Sequence, residues 1–111
     1  MKFEDTSGDV VRDDERYVVR DYPFGHNLTI SSTRLYPGQE TGGHSHEGQE
    51  EVYFFVSGSG KMTLSTDVES DVFEVTNGDV VPIEAGVFHK VFNDSEDDLY
   101  FVCVFNGRRD T

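Results

Sequence analysis

The stretch Gly38-Gln39-Glu40-Thr41-Gly42-Gly43-His44-Ser45-His46-Glu47-Gly48-Gln49-Glu50-Glu51-Val52-Tyr53-Phe54-Phe55-Val56-Ser57-Gly58 carries the fold in miniature. A glycine-rich segment with no helical period gives way to a run of aromatic and β-branched residues, which glycine closes again. That is strand chemistry bounded by turns. His44 and His46 are two apart, so in an extended chain both imidazoles project from one face. Glu51 opens the next strand, and its parity places its carboxylate on the same face as Tyr53 and Phe55. The opposite face carries Val52, Phe54 and Val56 and is equally apolar. A strand greasy on both sides must be covered on both, by another sheet, by the N-terminal segment or by a second subunit. The last option leads us to expect a homodimer.

The same spacing continues outward. Turn signals recur at Tyr22-Pro23-Phe24-Gly25, Pro37-Gly38, Ser57-Gly58-Ser59-Gly60, Asn77-Gly78-Asp79, Ala85-Gly86, Asn93-Asp94-Ser95 and Asn106-Gly107. The runs between them predict strands over Tyr17–Arg20, Leu28–Leu35, Glu51–Val56, Lys61–Ser65, Val72–Val75, Asp79–Ile83, Phe88–Phe92 and Leu99–Phe105. No window has a 3.6-residue apolar period, so the expectation is an all-β sandwich or barrel. Residues 1–16 read as an N-terminal arm, 17–107 as one domain and 108–111 as a C-terminal tail.

Charge narrows the choice of partners. The 111 residues contain 22 Asp+Glu against 9 Lys+Arg, a formal net charge of −13. No basic stripe interrupts the acids, so phosphate backbones and anionic headgroups are repelled; no nucleic acid and no membrane surface are expected as partners. The acids cluster at Asp13-Asp14-Glu15 and Glu96-Asp97-Asp98, as solvated turns do. Nine Phe and five Tyr supply core material that a disordered acidic tail lacks. A single cysteine, Cys103, makes no intrachain disulfide and reads as a small buried hydrophobe within Phe101-Val102-Cys103-Val104-Phe105. With no apolar leader or spanning run, the chain reads as cytoplasmic.

A third imidazole, His89, follows in a later strand. Neutral imidazoles with one carboxylate suit a single divalent transition metal: Mn, Fe, Co, Ni, Cu or Zn. His26, beside Gly25 in a turn, fits no such arrangement and reads as a surface residue.

Two spacings organise these residues: Gly38-x5-His44-x-His46-x4-Glu51-x6-Gly58 and Gly78-x5-Glu84-x-Gly86-x2-His89-x3-Asn93. The pair resembles the two signature motifs of the cupin superfamily, over about residues 35 to 105. The resemblance implies a double-stranded β-helix, or jelly-roll barrel, as a single domain with one divalent metal inside. It also implies His44, His46, Glu51 and His89 as the ligands. Glu50 competes for the acidic position, and the spacing to Gly58 and the parity with Tyr53 favour Glu51. Where the family usually has a proline, this chain has Glu84, so the following turn relies on Gly86.

Cupins host many activities, so the site must discriminate. An open metal position would serve an isomerase or lyase, with Glu51 or Tyr53 moving the proton, or a dioxygenase if the metal is redox-active. A non-catalytic, metal-dependent small-ligand binding or sensor module is the alternative, and a small-molecule ligand is expected in either case. A narrower stretch, Thr41-x-Gly43-His44-x-His46, Glu51-x-Tyr53 and Gly58-x-Gly60-x-Met62, is similar to the cupin-type glucose-6-phosphate isomerases of archaea. A phosphosugar in so acidic a protein would require Arg34 or Arg20 to face inward.

Overall fold

A computed structural model describes residues 1–45 and 47–109. Among the described residues the chain forms nine strands: β1 (Asp9–Asp13), β2 (Tyr17–Phe24), β3 (Leu28–Leu35), β4 (Glu51–Ser57), β5 (Ser59–Ser65), β6 (Ser70–Thr76), β7 (Val80–Ile83), β8 (Phe88–Phe92) and β9 (Leu99–Asn106). They assemble into a six-stranded sheet, in the order β1-β2-β3-β9-β4-β7, and a three-stranded sheet, in the order β6-β5-β8. Each pairing is antiparallel. The expected all-β architecture is present, and the expected strands all appear with adjusted ends. No helix of the described residues is long and apolar enough to cross a membrane.

The core lies between the two sheets. Alternate residues of the large sheet, Leu35, Tyr53, Phe55, Val81, Ile83, Phe101, Cys103 and Phe105, meet Met62, Val75 and Val91 of the small one. Period-two side-chain alternation produces this division directly. Prolines respect it as well. Pro82 lies on β7 at the sheet's edge, and Pro23 pairs only with Thr29, beyond the last register position of β1. Prolines are tolerated at such edges, where the missing N–H can face away from the ladder.

The N-terminal segment is more structured than an arm. Asp9–Asp13 pair with β2 as the edge strand of the large sheet, and a register shift between Val10 and Arg12 marks a bulge. A short, charged, bulged strand is how sheets discourage further pairing. Its apolar content is only Val10 and Val11 among acids, which is why composition read it as solvated. Upstream, Phe3 stacks on Phe54 with centroids 5.3 Å apart, and the Thr6 and Tyr100 hydroxyls share a buried hydrogen bond of 2.9 Å. The outer face of β4 is thus covered in part by this chain's own N-terminus.

Three features fix the loops between the strands. Residues 38–44 run against β8: Thr41 N–H donates to Val91 O at 2.9 Å, and His44 and His89 exchange both backbone bonds, at 3.1 and 2.9 Å. Beyond β8, Asn93 is fully buried; its amide donates to Leu35 O at 2.9 Å and Asp97 O at 2.8 Å, while its oxygen accepts from Ser95. One side chain therefore ties β3 to the loop before β9. Gly58 is held at φ +92° with its α-carbon against Asp98, where an added Cβ would lie 2.5 Å from a carbonyl oxygen. Glycine is required there on both counts.

Asn93→Ala leaves the buried Leu35 carbonyl without its Asn93 donor and cuts the tie to Asp97 O, and should lower unfolding free energy by about 2 kcal/mol in urea titration; an unchanged midpoint would contradict this bracing role. Cys103 is buried, and that burial pushes its thiol well up from its ordinary value, with Glu51 adding to the effect. In the folded protein it should resist a thiol reagent that labels it promptly in urea, and rapid native labelling would show the core to be open.

Candidate metal centre

His44, Glu51 and His89 come from three separate segments, and each offers a ligand atom within 4.8 Å of the others. The paired backbone of residues 38–44 and β8 sets the two imidazoles side by side, edge to face, with centroids 4.4 Å apart. Glu51 opens β4 on the facing sheet, so the cluster spans the gap between the layers. Its carboxylate Oε1 lies 3.3 Å from His89 Nε2 and 3.6 Å from His44 Nε2. Glu50, one residue earlier, is exposed, and its N–H bonds Asn106 Oδ1. His46 lies outside the described residues.

His89 is the decisive member. Its Nδ1 is 3.0 Å from the carbonyl of Val87, an oxygen that can only accept, so Nδ1 carries the proton. In the neutral ring Nε2 then holds a lone pair, and this atom is buried with no hydrogen-bond partner. Beside it stands Glu51, itself only 6% exposed. Burial works to raise the Glu51 carboxyl, but hydrogen bonding and positive charge from the two imidazoles outweigh it and hold it at about 2, an effect that requires a proton or another cation between the ring nitrogens and the carboxylate. A lone pair facing a carboxylate across 3.3 Å is repulsive unless a cation or proton lies between them. The donor set of imidazole nitrogens and one carboxylate oxygen is that of a divalent transition ion, and an imidazole whose second nitrogen is anchored to a carbonyl is the usual ligand form.

Tyr53 is buried in the next inward position of β4. Its ring stacks on Phe101, with centroids 5.4 Å apart, and meets His89 edge-on at 5.7 Å. Burial, with help from Cys103 and Glu51, pushes its hydroxyl well above the ordinary value, so the group stays protonated. Tyr53, Glu51 and His44 line one cavity of about 260 Å³ that opens to solvent. The motif's second turn forms without a proline: Val87 N–H donates to Glu84 O at 3.2 Å, and Gly86 takes φ +84°. His26 is exposed in its turn.

The same cavity contains two cations that the sequence did not assign to it, Arg12 and Arg109. Arg109 Nε and Nη2 grip both oxygens of Asp21 at 2.6 and 3.0 Å, Nη2 also reaches Ser31 Oγ at 3.1 Å, and the guanidinium lies over the Phe105 ring. Burial works to lower the Arg109 guanidinium's pKa, but its bonds to Asp21 and that carboxylate's charge outweigh it and raise it. Read from composition, Arg109 belongs to a tail. The available signal was Asp21, an acid two residues from buried Val19 and hence on the inward face, where it needs a partner.

Arg20 and Arg34, the cations considered for an inward role, occupy the opposite parity and face outward. Arg34 pairs with Asp98 at 3.6 Å and lies over Tyr100, while Arg20 bonds Gly8 O at 3.3 Å. The requirement set by a phosphosugar is not met by those two residues.

Comparison with known proteins agrees with this architecture. Residues 31–105 match the Cupin domain family. An oxalate-binding protein of Thermotoga maritima is 35% identical over 71 residues, covering 64% of this chain and 55% of that protein. The chain therefore spans about half the length of that curated relative. Among solved structures, oxalate decarboxylase of Bacillus subtilis superposes with a TM-score of 0.82 at 20% identity, over 92% of this chain and 28% of that one. KdgF from Halomonas superposes with a TM-score of 0.77 at 18% identity, over 92% of this chain and 88% of that one. These superpositions speak to the fold, a jelly roll in one domain. With its two motifs, its paired sheets and a family match across most of its length, the chain belongs to the cupins.

Proposed function

We propose that this cupin binds one divalent transition metal through His44, Glu51, His89 and His46, and uses it on a small molecule held in the adjoining cavity. The observation that carries the proposal is the buried, partnerless Nε2 of His89 facing the Glu51 carboxylate. Bound there, the metal would supply Lewis acidity toward a carbonyl or enolate or, if redox-active, electron transfer to oxygen. Val87 O fixes the His89 tautomer, and the T-shaped contact with Tyr53 fixes the tilt of its ring. Tyr53, held protonated, can donate a hydrogen bond to a ligand in the cavity, and the burial that raises its pKa opposes loss of the phenolic proton. Glu51, ionised over the whole physiological range, serves as a ligand and is a weak proton acceptor.

Isomerase, lyase and dioxygenase chemistry all use such a site, and an enzyme of this kind is the first reading. A binding or sensor module is the second, favoured by the relative that is named for binding oxalate. Tyr53→Phe separates the two, because it removes the proton and leaves the packing. Turnover falling by about 100-fold or more with metal and ligand affinity kept marks a catalytic site. A homodimer remains part of the proposal, resting on the half-buried apolar positions Val52 and Val56 beside Phe54.

Protein purified without added metal and then loaded should bind about one divalent ion per chain, measured by elemental analysis. His89→Ala, His46→Ala and Glu51→Gln should each lose the ion together with the thermal stabilisation it brings, and Glu50→Gln should keep both. Retention in His89→Ala would remove the proposal, and loss in Glu50→Gln alone would move the acidic ligand by one residue.

A further inference from the structure

The metal reading leaves two cations of the same cavity unexplained. Arg109 and Arg12 both line it, on segments that share no motif with the metal ligands. Arg109 is positioned with more care than a surface arginine needs. Asp21, itself buried, takes Nε and Nη2, Ser31 adds a third bond, and Phe105 supports the plane of the guanidinium. Among the described residues none of these bonds involves Nη1, which keeps its donors for a ligand. Arg12 is exposed, and its recorded bond is a 3.2 Å contact to the carbonyl of its neighbour Val11. It has no acidic partner within ion-pair distance among the described residues, in a protein with 22 acids.

We propose that Arg12 and Arg109 form an anion subsite that receives the carboxylate of a small organic acid, whose other end reaches the metal cluster. The inference rests on the metal reading for that second end only. Around the cavity the charges of Arg12 and Arg109 balance those of Glu51 and Asp21, so a divalent ion leaves a local positive excess inside a protein of net charge −13. An anion is therefore favoured in this cavity and disfavoured elsewhere on the surface. A carboxylate fits better than a phosphate. The two-donor edge of Arg109 is already spent on Asp21, leaving single donors, and a phosphate would concentrate up to two charges in one group near two fixed carboxylates, whereas each carboxylate of an organic acid carries one. The cavity, about 260 Å³, limits the ligand to a few carbon atoms beyond that group.

The test titrates malonate, its neutral counterpart malonamide, and inorganic phosphate into metal-loaded and metal-free protein by calorimetry, with metal content measured in each sample. Malonate should bind at least about tenfold tighter than malonamide or phosphate. Arg12→Gln and Arg109→Gln should each weaken malonate about tenfold at unchanged metal content, with Arg34→Gln, on the outer face, unaffected. Arg12 is exposed, so Arg12→Gln decides the matter even if Arg109→Gln, which strands Asp21, does not fold. Unchanged malonate affinity in Arg12→Gln, or phosphate binding tighter than malonate, overturns the proposal. If wild-type protein takes up no metal, the metal reading fails by itself. The metal-free titration then decides the subsite: arginine-dependent malonate binding upholds it, and no binding overturns it.

Discussion

A buried nitrogen lone pair opposite a buried carboxylate is a costly arrangement, and much of this molecule serves to maintain it. His89 cannot turn away, because its other ring nitrogen is committed to Val87 O and its ring is wedged between His44 and Tyr53. Glu51 cannot leave, because it opens a strand paired on both sides, to Ile83 of β7 and Phe105 of β9. An unsatisfied buried polar atom of this kind persists where a ligand compensates it, and a divalent ion satisfies both groups together. The two sheets act as the jaws. One brings the carboxylate, and the other, extended by residues 38–44, brings the imidazoles.

Most of the strand framework could be read from residue order alone, because period-two patterning, glycine and proline all point the same way. The alternation Glu51, Tyr53, Phe55 places three inward residues correctly, with Glu51 buried and Glu50 exposed. What escaped was long-range and polar. The pairing of β1 depends on a partner strand rather than on its own acidic composition. Arg109 enters the cavity because Asp21 draws it there, across 88 residues of sequence. No local pattern encodes such a bond, although an acid at an inward position asks for a counter-charge. Arg20 and Arg34 show the other side of the rule: parity turns them outward whatever the chemistry of a ligand would prefer.

The acidic composition takes on a more specific meaning in this setting. Most carboxylates lie on exposed turns and edges and keep the surface solvated. Among the described residues Glu51 and Asp21 are the two buried ones, and each faces positively charged or metal-ligating groups across the same interior. The surface repels anions and the interior is built to accept them, so the pocket can select a small acid without the protein collecting anions elsewhere.

The central claim is that a metal ion occupies the space between His89 and Glu51. Anomalous diffraction from crystals of the metal-loaded protein, collected on both sides of the absorption edge of the bound element, tests it directly. The account predicts one strong peak per chain, within bonding distance of His89 Nε2 and Glu51 Oε1, at roughly 2.0–2.2 Å from each. Peaks confined to surface carboxylates, with His89 Nε2 still facing Glu51 and nothing between them, would contradict it.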